Sequence, residues 1–124
     1  MQAAPGSATR IRTWVFGEPV WGDLNGDGVE DAALLLVHAP GGSGTFYYVA
    51  VALNTNGAYR GTNGVLLGDR IAPQNVSIRN GVVVANYADR RFDESMAVRP
   101  SVGKSMYLAM KEGRLGETVL PKVR

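Results

Sequence analysis

The stretch Asp31-Ala32-Ala33-Leu34-Leu35-Leu36-Val37-His38-Ala39-Pro40-Gly41-Gly42-Ser43-Gly44-Thr45-Phe46-Tyr47-Tyr48-Val49-Ala50-Val51-Ala52-Leu53 decides the fold. It holds the longest unbroken apolar run, Ala32–Val37. That run is too short for an ordinary helix and suits a central strand covered on both faces. Thr45–Leu53 is dense in aromatic and β-branched residues, which pack well on a pleated surface. The link between them, Ala39–Gly44, contains a proline and three glycines and cannot be the interior of either element. Together these pieces predict an antiparallel hairpin with a loose loop.

Working outward, Asn80-Gly81 lies between Asn75–Arg79 and Val82–Tyr87. Both turn residues tolerate positive φ, as a two-residue type I′ hairpin requires. Glu112-Gly113 joins Gly103–Lys111 to Arg114–Leu120. Along the first of these, Val102, Lys104, Met106, Leu108 and Met110 alternate onto one face. Thr13–Phe16 and Val65–Leu67 read as further strands, and Asn56-Gly57 ends the Tyr-rich one. The expectation is an all-β domain of seven or eight strands, an antiparallel sheet forming a small barrel or sandwich. A turn or two of helix around Arg91–Ala97, closed by Pro100, would make it α+β. Residues 1–9 read as a flexible lead-in and residues 10–124 as one β-rich domain.

The chain has 124 residues, enough for one core without staples. With no cysteine, disulfides, thiolate metal sites and thiol nucleophiles are excluded. One histidine, His38, excludes a His-rich metal site. No apolar run approaches the roughly 20 residues of a transmembrane helix. The small, turn-prone start, Met1–Ala8, fits the mature end of an exported protein whose signal peptide has been removed, so a periplasmic or secreted location is expected; an ordinary frayed terminus reads the same way.

Net charge is +2, yet Asp23, Asp27, Glu30 and Asp31 crowd four of the 11 acids into nine residues, leaving +6 on the rest. The pattern Asp23-Leu24-Asn25-Gly26-Asp27-Gly28-Val29-Glu30-Asp31 puts oxygen-bearing side chains at loop positions 1, 3, 5 and 9. Calcium takes about six to eight oxygen ligands. Asp23, Asn25, Asp27 and Asp31 side chains and the Val29 carbonyl form the candidate Ca²⁺ ligand set. Gly28 permits the bend after the third ligand, and Glu30 points outward. The same residues also make an ion-free acidic turn held by Asx hydrogen bonds.

The spacing resembles an EF-hand loop, but the twelfth position is Leu34 where an EF-hand has a bidentate Glu, and the loop leads into a strand. Gly22–Leu36 is more similar to the calcium loops of FG-GAP repeats, found in integrin α propellers and bacterial exported proteins. That resemblance implies Ca²⁺ binding by the residues named above. It covers about an eighth of the chain, and one loop cannot build a propeller, so the family's adhesive role is not carried over. The remainder resembles small single-copy bacterial exported proteins and lipoproteins, a likeness that names no activity.

The expected function is therefore a non-enzymatic extracytoplasmic binding or structural module stabilised by calcium, with a protein or glycan partner. Two other classes remain open. A small hydrolase would use His38, near Ser43, or the Asp89 and Glu94 acids. A weak binder of anionic polymers would use Arg79, Arg90, Arg91 and Arg99, although Asp89, Asp93 and Glu94 dilute that charge and make nucleic acid an unfavoured partner. Tyr47 and Tyr48 should face opposite ways. Trp14 and Trp21 are expected in the core or as cover for a sheet edge.

Overall fold

The computed structural model describes residues 11–119, so the lead-in expected over residues 1–9 lies outside the described residues. Among the described residues, nine strands form two antiparallel sheets: β1 (Arg12–Gly22), β2 (Asp31–Ala39), β3 (Phe46–Thr55), β4 (Ala58–Gly61) and β5 (Val65–Asp69) in the first, β6 (Ala72–Arg79), β7 (Val82–Asp89), β8 (Val102–Lys111) and β9 (Arg114–Glu117) in the second. The first sheet runs β1-β2-β3-β4, with β5 also paired to β3; the second runs β6-β7-β8-β9. The sheets do not close into a barrel. Their inner faces meet in one core that joins Ala33, Leu35, Val49, Val51 and Leu67 to Val83, Ala85, Tyr87, Leu108 and Leu115. The architecture is a sandwich.

The hairpin read from Asp31–Leu53 is present, with Leu35 opposite Val49 and Leu36 opposite Tyr48. Residues directly opposite share a face, so Ala33, Leu35 and Val37 look inward with Tyr47, Val49 and Val51. Leu34 and Leu36 look outward and are only half-buried. The central strand is thus covered fully on one face only, because among the described residues no layer lies over the other. Tyr47 and Tyr48 do diverge, Tyr47 packing on the core. Leu108, Met106 and Met110 take the inward face of β8, as alternation requires.

Three two-residue turns share one conformation: Asn56-Gly57 (φ 54° and 86°), Asn80-Gly81 (50° and 77°) and Glu112-Gly113 (53° and 80°). Both residues of each turn are left-handed, as type I′ requires. No helix forms among the described residues. Over Arg91–Ala97 two successive turns replace it, closed by Glu94 N–H to Arg91 O (2.9 Å) and Val98 N–H to Ser95 O (3.0 Å). Side chains compete here with helical bonding: Glu94 Oε1 accepts the Arg91 N–H at 2.7 Å and Ser95 Oγ accepts the Ala97 N–H at 3.1 Å.

The link between β1 and β2 is the acidic segment. It sits at the end of the sandwich that also carries the Asn56-Gly57, Asn80-Gly81 and Glu112-Gly113 turns. A Cβ on Gly22 would lie 3.0 Å from Ile78 Cγ2, so glycine lets the second sheet touch the strand at the loop entry.

Candidate metal centre

Alternate residues of the loop each turn a side-chain oxygen back onto the backbone. Asp23 Oδ1 accepts the N–H of Asn25 (3.2 Å) and Gly26 (2.8 Å), and its Oδ2 accepts Gly28 N–H (2.8 Å). Asn25 Oδ1 accepts the Asp27 N–H (3.4 Å), and Asp27 Oδ1 that of Val29 (3.0 Å). These are successive Asx turns, local enough for the alternating sequence to dictate them. Gly26 and Gly28 adopt φ of 81° and 82°, which frees the chain to coil tightly. The Gly28 N–H holds the Asp23 carboxyl below the ordinary carboxylate range, with Gly26 and Asn25 adding to the effect.

Asp31 behaves differently. It opens β2 opposite Gly22, is 0% exposed, and is the only buried charged residue among those described. Its Oδ2 accepts the Leu24 N–H at 2.8 Å and its Oδ1 the Asn54 N–H at 2.9 Å. Leu24, at loop position 2, inserts into the hydrophobic core. One carboxylate thus ties the loop, β2 and β3 together while an apolar side chain anchors the loop beneath it.

Carboxylate oxygens of Asp23, Asp27 and Asp31 all lie within 4.8 Å of one another. Two oxygens bound to one Ca²⁺ can stand no more than about 5 Å apart, twice the roughly 2.3–2.6 Å ion–oxygen distance. The three acids therefore form a group that could hold a metal ion, and their all-oxygen character suits a hard cation. Hydrogen bonding does not exhaust them, since each carboxylate oxygen has two acceptor sites. Among the described residues no Lys, Arg or His forms an ion pair with any of the three. Asn25 lies within the same loop, the Val29 N–H closes its last Asx turn, and Glu30 is exposed, as expected.

The other candidates are not assembled into a site. His38 stands at the far end of β2, where its Nδ1 shares a 2.7 Å hydrogen bond with Thr13 Oγ1. Asp89 accepts the Arg90 N–H and meets Lys104 at 3.5 Å, whereas Glu94 serves the Arg91 turn. The four arginines do not cluster. Arg79 ends β6 beside the Asn80 turn, at the opposite end of the strand from the loop that carries Arg90, Arg91 and Arg99. Arg90 is spent on the Val98 and Arg70 carbonyls, and Arg91 faces Asp93 at 3.6 Å.

Three residues beside the loop, Trp21, Tyr59 and Asn54, lie outside its motif. Trp21 and Tyr59, each 51% exposed, meet edge-to-face with ring centroids 5.8 Å apart. Trp21 shares the outward face with Ala32 and Ala52, whose small side chains leave room for the rings. Trp21 is thus surface cover rather than core, while Trp14, 39% exposed, stands opposite Val37 on the inward side of the edge strand β1 and covers that edge. Asn54 is the other omission: its role lies in a backbone N–H, which residue type does not reveal. Comparison of the chain with protein-family models, with curated proteins and with solved structures finds no match in any of the three.

Proposed function

We propose that the Asp23–Asp31 loop binds one Ca²⁺ and that the protein is a calcium-stabilised, non-enzymatic module that acts by binding outside the cytoplasm. The observation that carries this reading is the convergence of the Asp23, Asp27 and Asp31 carboxylates within 4.8 Å, one of them fully buried. A buried carboxylate with no cationic side chain against it is costly, and a bound cation offsets that cost. The resemblance to the FG-GAP loop favours calcium, with Asn25 and the Val29 carbonyl completing the ligand set. Magnesium suits the loop less, because it demands near-octahedral geometry and retains its waters. Bound calcium supplies positive charge where three carboxylates meet and fixes the start of β2. The loop's own residues do the rest: Leu24 anchors it and Asp31 ties it to β3. An extracytoplasmic setting accords with sites of about 10⁻⁴–10⁻³ M affinity. The exposed Trp21–Tyr59 pair supplies an outward face for a protein or glycan partner.

Thermal unfolding in millimolar calcium and in chelator tests the ion. Binding to the folded state alone adds about 1.4 kcal/mol at tenfold excess over Kd, a rise of roughly 3–7 °C in Tm for this length. Asp27→Ala should abolish the rise, since it removes a ligand that holds nothing else but the Val29 N–H. Equal Tm in calcium and chelator, with no heat of binding by calorimetry, would refute the site.

A further inference from the structure

Four Asn-Gly pairs occur in the described chain: Asn25-Gly26, Asn56-Gly57, Asn63-Gly64 and Asn80-Gly81. Such pairs are chemically labile. Glycine has no Cβ to shield its nitrogen, so that nitrogen can attack the preceding side-chain amide. The Gly N–Cγ bond forms, the Cγ–Nδ2 bond breaks, and ammonia leaves with the proton shed by the glycine amide. Water then opens the cyclic imide at either carbonyl, giving aspartate or isoaspartate. The balance is one water in and one ammonia out, with no oxidant.

Three of the pairs are held out of this reaction. The Gly26 N–H donates to Asp23 Oδ1 at 2.8 Å, and the Gly57 N–H to Asn54 Oδ1 at 3.0 Å. The Asn63 amide is gripped at both ends: its Nδ2 donates to Leu115 O and its Oδ1 accepts Leu115 N–H, each at 2.9 Å. The fourth pair differs. Asn80 is exposed, and among the described residues no hydrogen bond holds its side chain or the Gly81 N–H. Asn56-Gly57 provides an internal control, because the two turns share one conformation. They differ at the residue two before the asparagine. Asn54 supplies an acceptor to Gly57, whereas Ile78 has none to offer Gly81.

We infer that Asn80 is a selective site of spontaneous deamidation, set apart by the missing acceptor at residue 78. Isoaspartate there inserts a methylene into the backbone of a two-residue turn, and either product adds a carboxylate. That turn abuts the acidic loop: a Cβ on Gly81 would lie 3.9 Å from the Asp23 carbonyl oxygen.

Incubation of the folded protein at mildly alkaline pH, followed by peptide mapping with fragmentation, reads each site separately. Asn80 should deamidate at least about tenfold faster than Asn25, Asn56 or Asn63, the factor one withheld hydrogen bond supplies. In denaturant the four rates should converge. Asn54→Ala, which keeps the backbone N–H to Asp31, should raise the Asn56 rate by about the same factor. Equal rates in the folded protein, the same ranking in denaturant, or an Asn56 rate untouched by Asn54→Ala would each overturn the inference.

Discussion

The Asp31 carboxylate and the Asn54 backbone N–H, 23 residues apart, are joined across the β2–β3 pair by a 2.9 Å hydrogen bond. The same carboxylate receives the Leu24 N–H, so the acidic loop is fastened to the sheet from below. Whatever the loop binds, its innermost acid is already fixed by the fold. Asp23 and Asp27, by contrast, bond only within the loop.

That division predicts unequal mutants. Asp31→Ala leaves two backbone donors without their acceptor in a buried setting and should cost roughly 2–4 kcal/mol, even in chelator. Asp27→Ala, exposed, should cost under about 0.5 kcal/mol in chelator. Urea unfolding measures both. Equal costs would mean that the Asp31 bonds contribute nothing to stability.

The Asn63–Leu115 pair predicts a second loss. Asn63 precedes β5 in the first sheet's half of the chain and bonds both backbone groups of a residue in β9. Asn63→Ala should destabilise by roughly 1–3 kcal/mol and raise hydrogen exchange along β9 before β7. Unchanged exchange at Leu115 would contradict this.

Turn chemistry predicts a gain. Glu112 occupies a left-handed position (φ 53°) that asparagine and glycine tolerate better. Glu112→Asn should stabilise by roughly 0.5–1 kcal/mol. Gly81→Val should cost more than about 1 kcal/mol; the neighbouring space is adequate, so the cost comes from φ. Thermal melts of the two variants should move in opposite directions.

Two groups set pH limits of opposite sign. The Arg70 guanidinium, bonded at 2.9 Å, holds the Asp69 carboxyl below its ordinary value, helped by the Thr45 N–H. A lowered folded pKa means stability that is present above the unfolded value near 3.9 and lost as pH falls through the folded one. Burial raises the Tyr87 phenol. Its contribution is full below about pH 10 and is lost as pH rises through the folded value. Asp69→Asn should flatten the acid limb of stability against pH, and Tyr87→Phe the alkaline limb. Urea midpoints across pH that keep both slopes in both variants would reject the assignment.

The parts of this fold legible in the sequence are those fixed within a few residues. Asn80-Gly81 and Glu112-Gly113 declare hairpins because φ is decided at the turn itself. Asp23, Asn25 and Asp27 declare Asx turns for the same reason. What the sequence hides is long-range. Asn54 reaches Asp31 only through the register of β2 on β3. Arg79 is separated from Arg90, Arg91 and Arg99 by the length of β6, which adjacency in the text conceals. The optional helical turn near Arg91–Ala97 does not form, because Glu94 and Ser95 bond the nearby backbone first. Leu34 and Leu36 sit on a half-open face because apolar character does not say which layers exist to cover it.

Strand pairing follows chain order, with the sole exception among described strands that β4 and β5 lie in turn along the same edge of β3. Among the described strands, no ladder links one before Arg70 to one after Ile71. Each sheet is therefore a sequence of short loop closures, and the two can zip up separately before docking. The entropic toll of long loops, which slows Greek-key sandwiches, is largely avoided. Refolding should thus be quicker than that of interleaved sandwiches of this size, with docking across Val49, Val83 and Leu108 as its final cooperative event.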